Sequence, residues 1–420
     1  MGGGKLAPPA WKPEPAPAYN HLGLSQSRRL FADRTNWSLE PNRLSRALEA
    51  RRSRREPVFD LTASNPTTCG FVYDHEAILR ALSNPGALTY TPDPRGLELA
   101  RRAVARYYSE RGAEPATQDI FLTTSTSEAY SWVFRVLCNP GDAVLLPAPS
   151  YPLFGFLADI ADVRLVRYPL VYDHGWQMDL HALKQAITPA TRAVVVVHPN
   201  NPTGHYTSAM EAKRLTDLCA ACGLAIIADE VFFDFAIGNA SARALPEAKP
   251  RTFAAGSDAL TFTLSGLSKI SGLPQMKAAW LLVNGPEKLK AQASERLELI
   301  ADAYLSPNAP VQLALPALLA LRTGFQRQVV ERLTRNLAAL DRHLAAQKLC
   351  SRLNLEGGWY AVLRVPATRS DEDLAVELLT KHGLYVHPGH FFDFPSDGYL
   401  VVSLLTPENE FSQGVRLLFD

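Results

Sequence analysis

Seven short apolar runs constrain this chain more than any other feature. They are Asp119–Thr124, Ala143–Pro147, Val163–Tyr168, Ala193–His198, Leu224–Asp229, Leu260–Ser265 and Ala278–Val283. Several are unbroken, as in Val194-Val195-Val196-Val197, which suits strands covered on both faces rather than strands with one wet side. Helical periodicity fills the gaps at Leu97–Glu110, Ser127–Leu137 and Ser208–Cys222. Strands alternating with helices predict an α/β domain built on a mostly parallel sheet.

After Pro307 the rhythm changes. Two long helical stretches, Val311–Leu321 and Phe325–Ala346, precede strand candidates Tyr360–Val365, Leu384–His387 and Tyr399–Leu404, the pattern of a smaller α+β domain. The expected division is a large domain over 61–304 and a small one made of 21–60 and 305–420. Residues 1–20, rich in Pro and small side chains, read as a tail that resists ordering. They lack the apolar core of a signal peptide, so a cytoplasmic protein is expected.

A net charge of +1 on 420 residues argues against a nucleic-acid or membrane-surface partner. No segment approaches the roughly 20 apolar residues that span a bilayer. Five cysteines, at 69, 138, 219, 222 and 350, are an odd set that fits a reducing compartment. Cys219-Ala-Ala-Cys222 has redox or metal spacing. It lies inside a helical stretch with no second pair nearby, so small buried residues are the reading and no metal is expected.

Four signals then fall in a fixed order. Asn200-Asn201-Pro202-Thr203-Gly204 follows one strand, and Asp229 closes the next. Lys269 comes in Leu267-Ser268-Lys269-Ile270, and Lys277 follows eight positions later. Pyridoxal phosphate presents an aldehyde, a ring nitrogen, a phenolic oxygen and a phosphate, and these residues answer each part. Lys269 supplies an amine for a Schiff base once burial frees it of its proton. Asp229, at the carboxyl end of a strand where open α/β sheets bind ligands, can keep the ring nitrogen protonated. Asn201 can donate to the phenolic oxygen. The phosphate needs N–H donors at a helix start, which Ser125-Thr126-Ser127 offers along with hydroxyls, and Lys277 adds charge. Tyr151 is placed to stack on the ring.

With those residues in view, the chain resembles the class I/II aminotransferases, fold type I of the pyridoxal phosphate enzymes. The resemblance runs from about residue 58 to the C-terminus and is carried by Asn200-Asn201-Pro202-Thr203-Gly204, Asp229-Glu230 and Ser268-Lys269. Tyr90, in Thr89-Tyr90-Thr91-Pro92, and Pro388-Gly389 also match. It implies a seven-stranded sheet sandwiched by helices, a small domain closing over the substrate, and a homodimer in which Tyr90 reaches the neighbouring subunit's phosphate. The implied reaction moves an amino group from an amino acid to a 2-oxo acid through the Lys269 Schiff base, with Lys269 then carrying the proton at the substrate's Cα. A lyase, decarboxylase or racemase on the same scaffold is the alternative, since the electron sink serves all of them.

Three positions depart from the resemblance. Phe232 stands where relatives have a tyrosine hydroxyl. Lys277 replaces an arginine, keeping charge but losing the bidentate fork. Gly398-Tyr399-Leu400-Val401-Val402-Ser403 carries Val401 where relatives grip the substrate carboxylate with arginine. Arg364 and Asn65 are the expected substitutes. The aromatics Phe232, Phe233, Tyr360 and Phe391 are candidates for an apolar pocket.

Overall fold

The computed structural model describes residues 31–237 and 250–419, so the expected tail over 1–20 lies outside the described residues. The chain divides into Met1–Ser38 and Leu39–Asp420. In the first unit, Asp33–Thr35 forms one turn of 3-10 helix. Everything below concerns the second.

Phe59–Asp60 (β1) opens that unit's strands. The large sheet follows with Ile120–Thr123 (β2), Ala143–Ala148 (β3), Arg164–Tyr172 (β4), Trp176–Met178 (β5), Thr191–Val197 (β6), Ala225–Asp229 (β7), Thr261–Gly266 (β8) and Ala279–Asn284 (β9). Its order is β2-β9-β8-β7-β6-β3-β4-β5. The pairs from β4 through β8 are parallel, while β9 runs against both its neighbours. All seven expected strands are there. The eighth, β5, is an antiparallel return of β4 through a turn in which His174 adopts a φ of 53°. Three residues with one exposed position were too short a run to stand out in the sequence.

The unbroken apolar runs have the cause expected of them. Val194 and Val196 pack on one face of the sheet with Leu215 and Cys219 of the helix Ala209–Cys222. Val195 and Val197 pack on the other with Tyr130 and Phe134 of the helix Thr126–Leu137 and Leu297 of Glu287–Tyr304. Each such side chain contributes roughly 1.5–3 kcal/mol by leaving water, so a charge at Val195 would break the layer. Local signals set the helix ends. Ser208 and Glu211 form a reciprocal capping box, and Gly223 closes the same helix at φ 65°.

A second sheet contains Ser351–Arg352 (β10), Tyr360–Arg364 (β11), His387–Pro388 (β13) and Tyr399–Ser403 (β14), all antiparallel. Between them, Leu384–Tyr385 (β12) pairs in parallel with β1. The single strand expected over Leu384–His387 is therefore split at the buried Val386, where the backbone changes partners. The helix Arg43–Ser53 is tied to this region by Arg51, which donates to Pro57 O (2.9 Å) and Thr380 O (3.1 Å). Among the described residues no helix is long and apolar enough to cross a membrane.

Candidate active site

The carboxyl ends of β6, β7 and β8 open on a cavity of about 380 Å³. Asp229 is the last residue of β7, in register with Val197 and Leu264 on either side. Lys269 sits in the short helix Leu267–Ile270 that leaves β8. The hinge is Gly266, where a Cβ would stand 2.7 Å from that of Ala279, so no larger residue lets β8 and β9 close there. Lys269 and Asp229 both line the cavity, with Asn201, Ser125, Thr126, Ser127, Ser268, Tyr151 and Phe232. Nine of the predicted site residues thus line one cavity.

Their electrostatics are set by burial. Asp229 is pushed up to about 6, chiefly by burial, against the pull of Val231 N–H, the Tyr130 hydroxyl and Lys269. Val231 N donates to Oδ1 (3.1 Å) and Tyr130 Oη to Oδ2 (3.1 Å), which fixes the carboxylate. Lys269 is pushed down to about 8, again chiefly by burial, with Asp229 opposing. Its Nζ lies 4.9 Å from the ring centre of Trp359 and 5.7 Å from that of Phe232. With that pKa roughly a tenth of the amine is free at pH 7, which a surface lysine never offers.

The loop carrying Asn201 is stiff. Asn200 Oδ1 accepts from Thr203 Oγ1 (2.8 Å), Gly204 N donates to Asn200 O (2.8 Å), and Gly204 holds φ 69°. A side chain on Gly204 would run into Leu355 and the Gly357 carbonyl. Next to it, His205 lies between Glu211 (3.3 Å) and Glu356 (3.5 Å). Asn201 Oδ1 itself is buried with no partner. At the helix Thr126–Leu137, Ser125 Oγ accepts from Glu128 N, leaving the first-turn N–H groups of Thr126 and Ser127 without an acceptor in their own helix.

Four predicted residues are not on this wall. Lys277 is exposed at φ 50°, three positions after Pro274, which does line the cavity. Tyr90 is 76% exposed on the surface of the chain. Arg364 lies four residues along β11 from the lining Tyr360, about 13 Å away, and its guanidinium sits over the Tyr172 ring at 5.7 Å. Asn65 caps the turn Pro66–Thr68, its side-chain oxygen taken by Thr67 N and Thr67 Oγ1, while its neighbour Ser64 reaches the cavity. Of the apolar candidates, Tyr360 and Phe232 line the site, whereas Phe233 packs on His198 and Tyr206. Phe392 takes the place foreseen for Phe391.

Sequence reasoning missed Tyr130, Trp359 and His387. Tyr130 had a signal, because it stands four residues after Thr126 and so on the same helix face. Trp359 stands just before β11 and His387 lies in β13, and neither had one.

The family described as aminotransferase class I and II matches residues 56–410. The glutamate-pyruvate aminotransferase of Escherichia coli K12 is 29% identical over 371 residues, 85% of this chain and 89% of that one. The alanine aminotransferase of Mycobacterium tuberculosis is 30% identical over 374 residues, covering 86% and 84%. An aminotransferase of Escherichia coli of known structure superposes with a TM-score of 0.79 at 24% identity, over 93% of this chain and 97% of that one. With a family match across most of the chain and the fold in agreement, this protein is a member of the class I and II aminotransferases.

Proposed function

We propose that the cavity holds pyridoxal phosphate and that the chain moves an amino group from an amino acid to a 2-oxo acid at Lys269. The observation that carries this is that the buried amine of Lys269 and the buried carboxylate of Asp229 line one cavity at the carboxyl ends of β7 and β8. The donor set fits the group part by part: an amine for the aldehyde, a carboxylate for the ring nitrogen, and the Asn201 side-chain NH₂ for the phenolic oxygen. Thr126 and Ser127 offer open N–H groups for the phosphate. When bound, the cofactor supplies an electron sink for the carbanion character that develops at the substrate's Cα.

The chain's own residues do the rest. Asp229 keeps a proton on the ring nitrogen, and Tyr130 with Val231 holds Asp229 in place. Lys269 would act as the base that takes the proton from the substrate's Cα and as the acid that gives it back. Trp359 and Phe232 keep water from that amine. Tyr151 would stack on the ring, and Ser125 and Ser268 would add hydroxyls for the phosphate. We assign Lys277 to the phosphate's charge and Tyr90 to the site of a second subunit; its 76% exposure on one chain suits burial in a homodimer. The division into a large domain (61–304) and a small one (21–60, 305–420) belongs to the same proposal. So does a cytoplasmic location, supported by five unpaired cysteines.

The test is Lys269→Ala. The variant should still take up the cofactor, now without a covalent link, and turnover should fall by about 10⁴-fold. Activity within tenfold of the parent would overturn the assignment.

A further inference from the structure

Amino acids and 2-oxo acids both carry a carboxylate beside the reacting carbon, and a carboxylate drawn out of water needs donors to meet it. Among the described residues lining the cavity the one cation is Lys269, and its amine is committed to the carbon undergoing reaction. Val401, at the arginine's place, is wholly buried and offers nothing to an anion.

The residue across the sheet from Val401 is different. His387 pairs with Val401 in the antiparallel β13–β14 ladder, so the two side chains stand on one face of the sheet, Cβ atoms about 5 Å apart. His387 lines the cavity, and its Nδ1 is buried without a hydrogen-bond partner. Buried polar atoms are nearly always satisfied inside a protein. An unpaired nitrogen on a ring that lines a substrate cavity leaves that ring with hydrogen-bonding capacity the protein itself does not use. The ring is clamped by Tyr385 (5.9 Å), Phe391 (6.0 Å) and Phe392 (5.8 Å), so it is presented in one orientation. Burial holds the imidazole neutral against the field of Asp60, and the tautomer with its hydrogen on Nδ1 is a donor.

We propose that His387 binds the substrate's carboxylate, an uncharged donor one strand over from the place where relatives put a cation. Tyr360 and Ser64, which line the same cavity, complete a neutral donor set. This rests on the aminotransferase reading above.

The experiment titrates the cofactor-loaded enzyme with 3-phenylpropanoate and with 3-phenylpropan-1-ol, following binding by calorimetry and by the bound cofactor's absorbance. Parent, His387→Phe and His387→Gln are compared. The phenylalanine keeps the stacked ring and removes the donor, while the glutamine keeps a donor. The parent should prefer the carboxylate, and His387→Phe should weaken it about 10- to 100-fold, the worth of a hydrogen bond to a charged group. The alcohol should move less than about twofold, and His387→Gln should recover most of the carboxylate binding. A parent without that preference, or a His387→Phe that shifts both ligands alike or neither, overturns the proposal. The parent's conversion by a panel of amino acids, with release of the matching 2-oxo acid, is recorded beside it. If that conversion fails, the aminotransferase reading falls; if it succeeds while His387→Phe binds the carboxylate normally, only His387 falls.

Discussion

The residues that line the cavity are of two kinds: the titrating charges Lys269 and Asp229, its charged end, and the rings and neutral donors Tyr360, His387 and Phe392, its neutral end, beside the buried Val401. The first end is built on adjacent parallel strands of the large sheet, whose register leaves little freedom in where the carboxylate and amine stand. The second hangs on β11, β13 and β14, short antiparallel strands drawn from the last seventy residues. A rigid frame can hold groups in energetically unfavourable burial, as it holds this pair; the other wall is left to shape and hydrogen bonding. The contrast teaches that chemistry and substrate selection are carried by different parts of the fold, and each can be altered without the other.

The largest expected effect falls at the charged end. Asp229→Asn keeps the shape and removes the carboxylate proposed to hold the ring proton, and kcat/KM should drop about 10³-fold, the range for losing one preorganised electrostatic partner. Steady-state kinetics decide it, and a loss under tenfold would mean the two ends differ less than their structure says.

Next is stability. The gap between about 8 and the ordinary 10.5 of Lys269 is worth roughly 3 kcal/mol at 1.36 kcal/mol per pH unit. Because the folded pKa is depressed, this is a penalty on the folded state, fully present below pH 8 and relieved as pH rises from 8 towards 10.5. Lys269→Met should therefore inactivate the enzyme and yet stabilise the cofactor-free protein at pH 7, by roughly 2–3 kcal/mol since Asp229 loses its counter-charge. The advantage should shrink above pH 8. Denaturant unfolding at pH 7 and pH 9.5 checks both the sign and the window; a less stable variant at pH 7 would refute it.

Tyr130→Phe comes third. It deletes one hydrogen bond to Asp229 (3.1 Å) and leaves the ring packed on Phe134 and Phe154. The loss should be about tenfold in kcat, with KM nearly unchanged, as for a hydrogen bond to a charged group. An equal change in KM alone would move Tyr130 from the charged end to substrate binding.

How much of this was legible in the sequence follows the same division. Asp229 and Asn201 are legible because each ends or follows a continuous apolar run, and the end of such a run in a parallel sheet is a ligand position. Lys269 is legible only in their company. Ser125-Thr126-Ser127 reads as a helix start on local chemistry alone. The aromatic end is not legible, since its members meet only through pairing between distant short strands. His387 reaches the wall because the chain splits at Val386, and no local pattern announces that split. Arg364 was a sound choice of cation by type, but strand rise alone carries it some 13 Å past Tyr360.

The smallest effect tests the neutral end directly. If a cation gripped the substrate carboxylate near the surface, raising salt from 0.05 to 0.5 M would shorten the screening length from about 14 to about 4 Å and weaken substrate binding. With His387, Tyr360 and Ser64 as uncharged donors, there is no ion pair for salt to screen. KM for an apolar amino donor should then change less than about twofold across that range, while uptake of the phosphate-bearing cofactor by the stripped enzyme, which meets the exposed Lys277, should slow severalfold. Both are read on one protein in one salt series, and equal sensitivity in the two would erase the difference between the two ends.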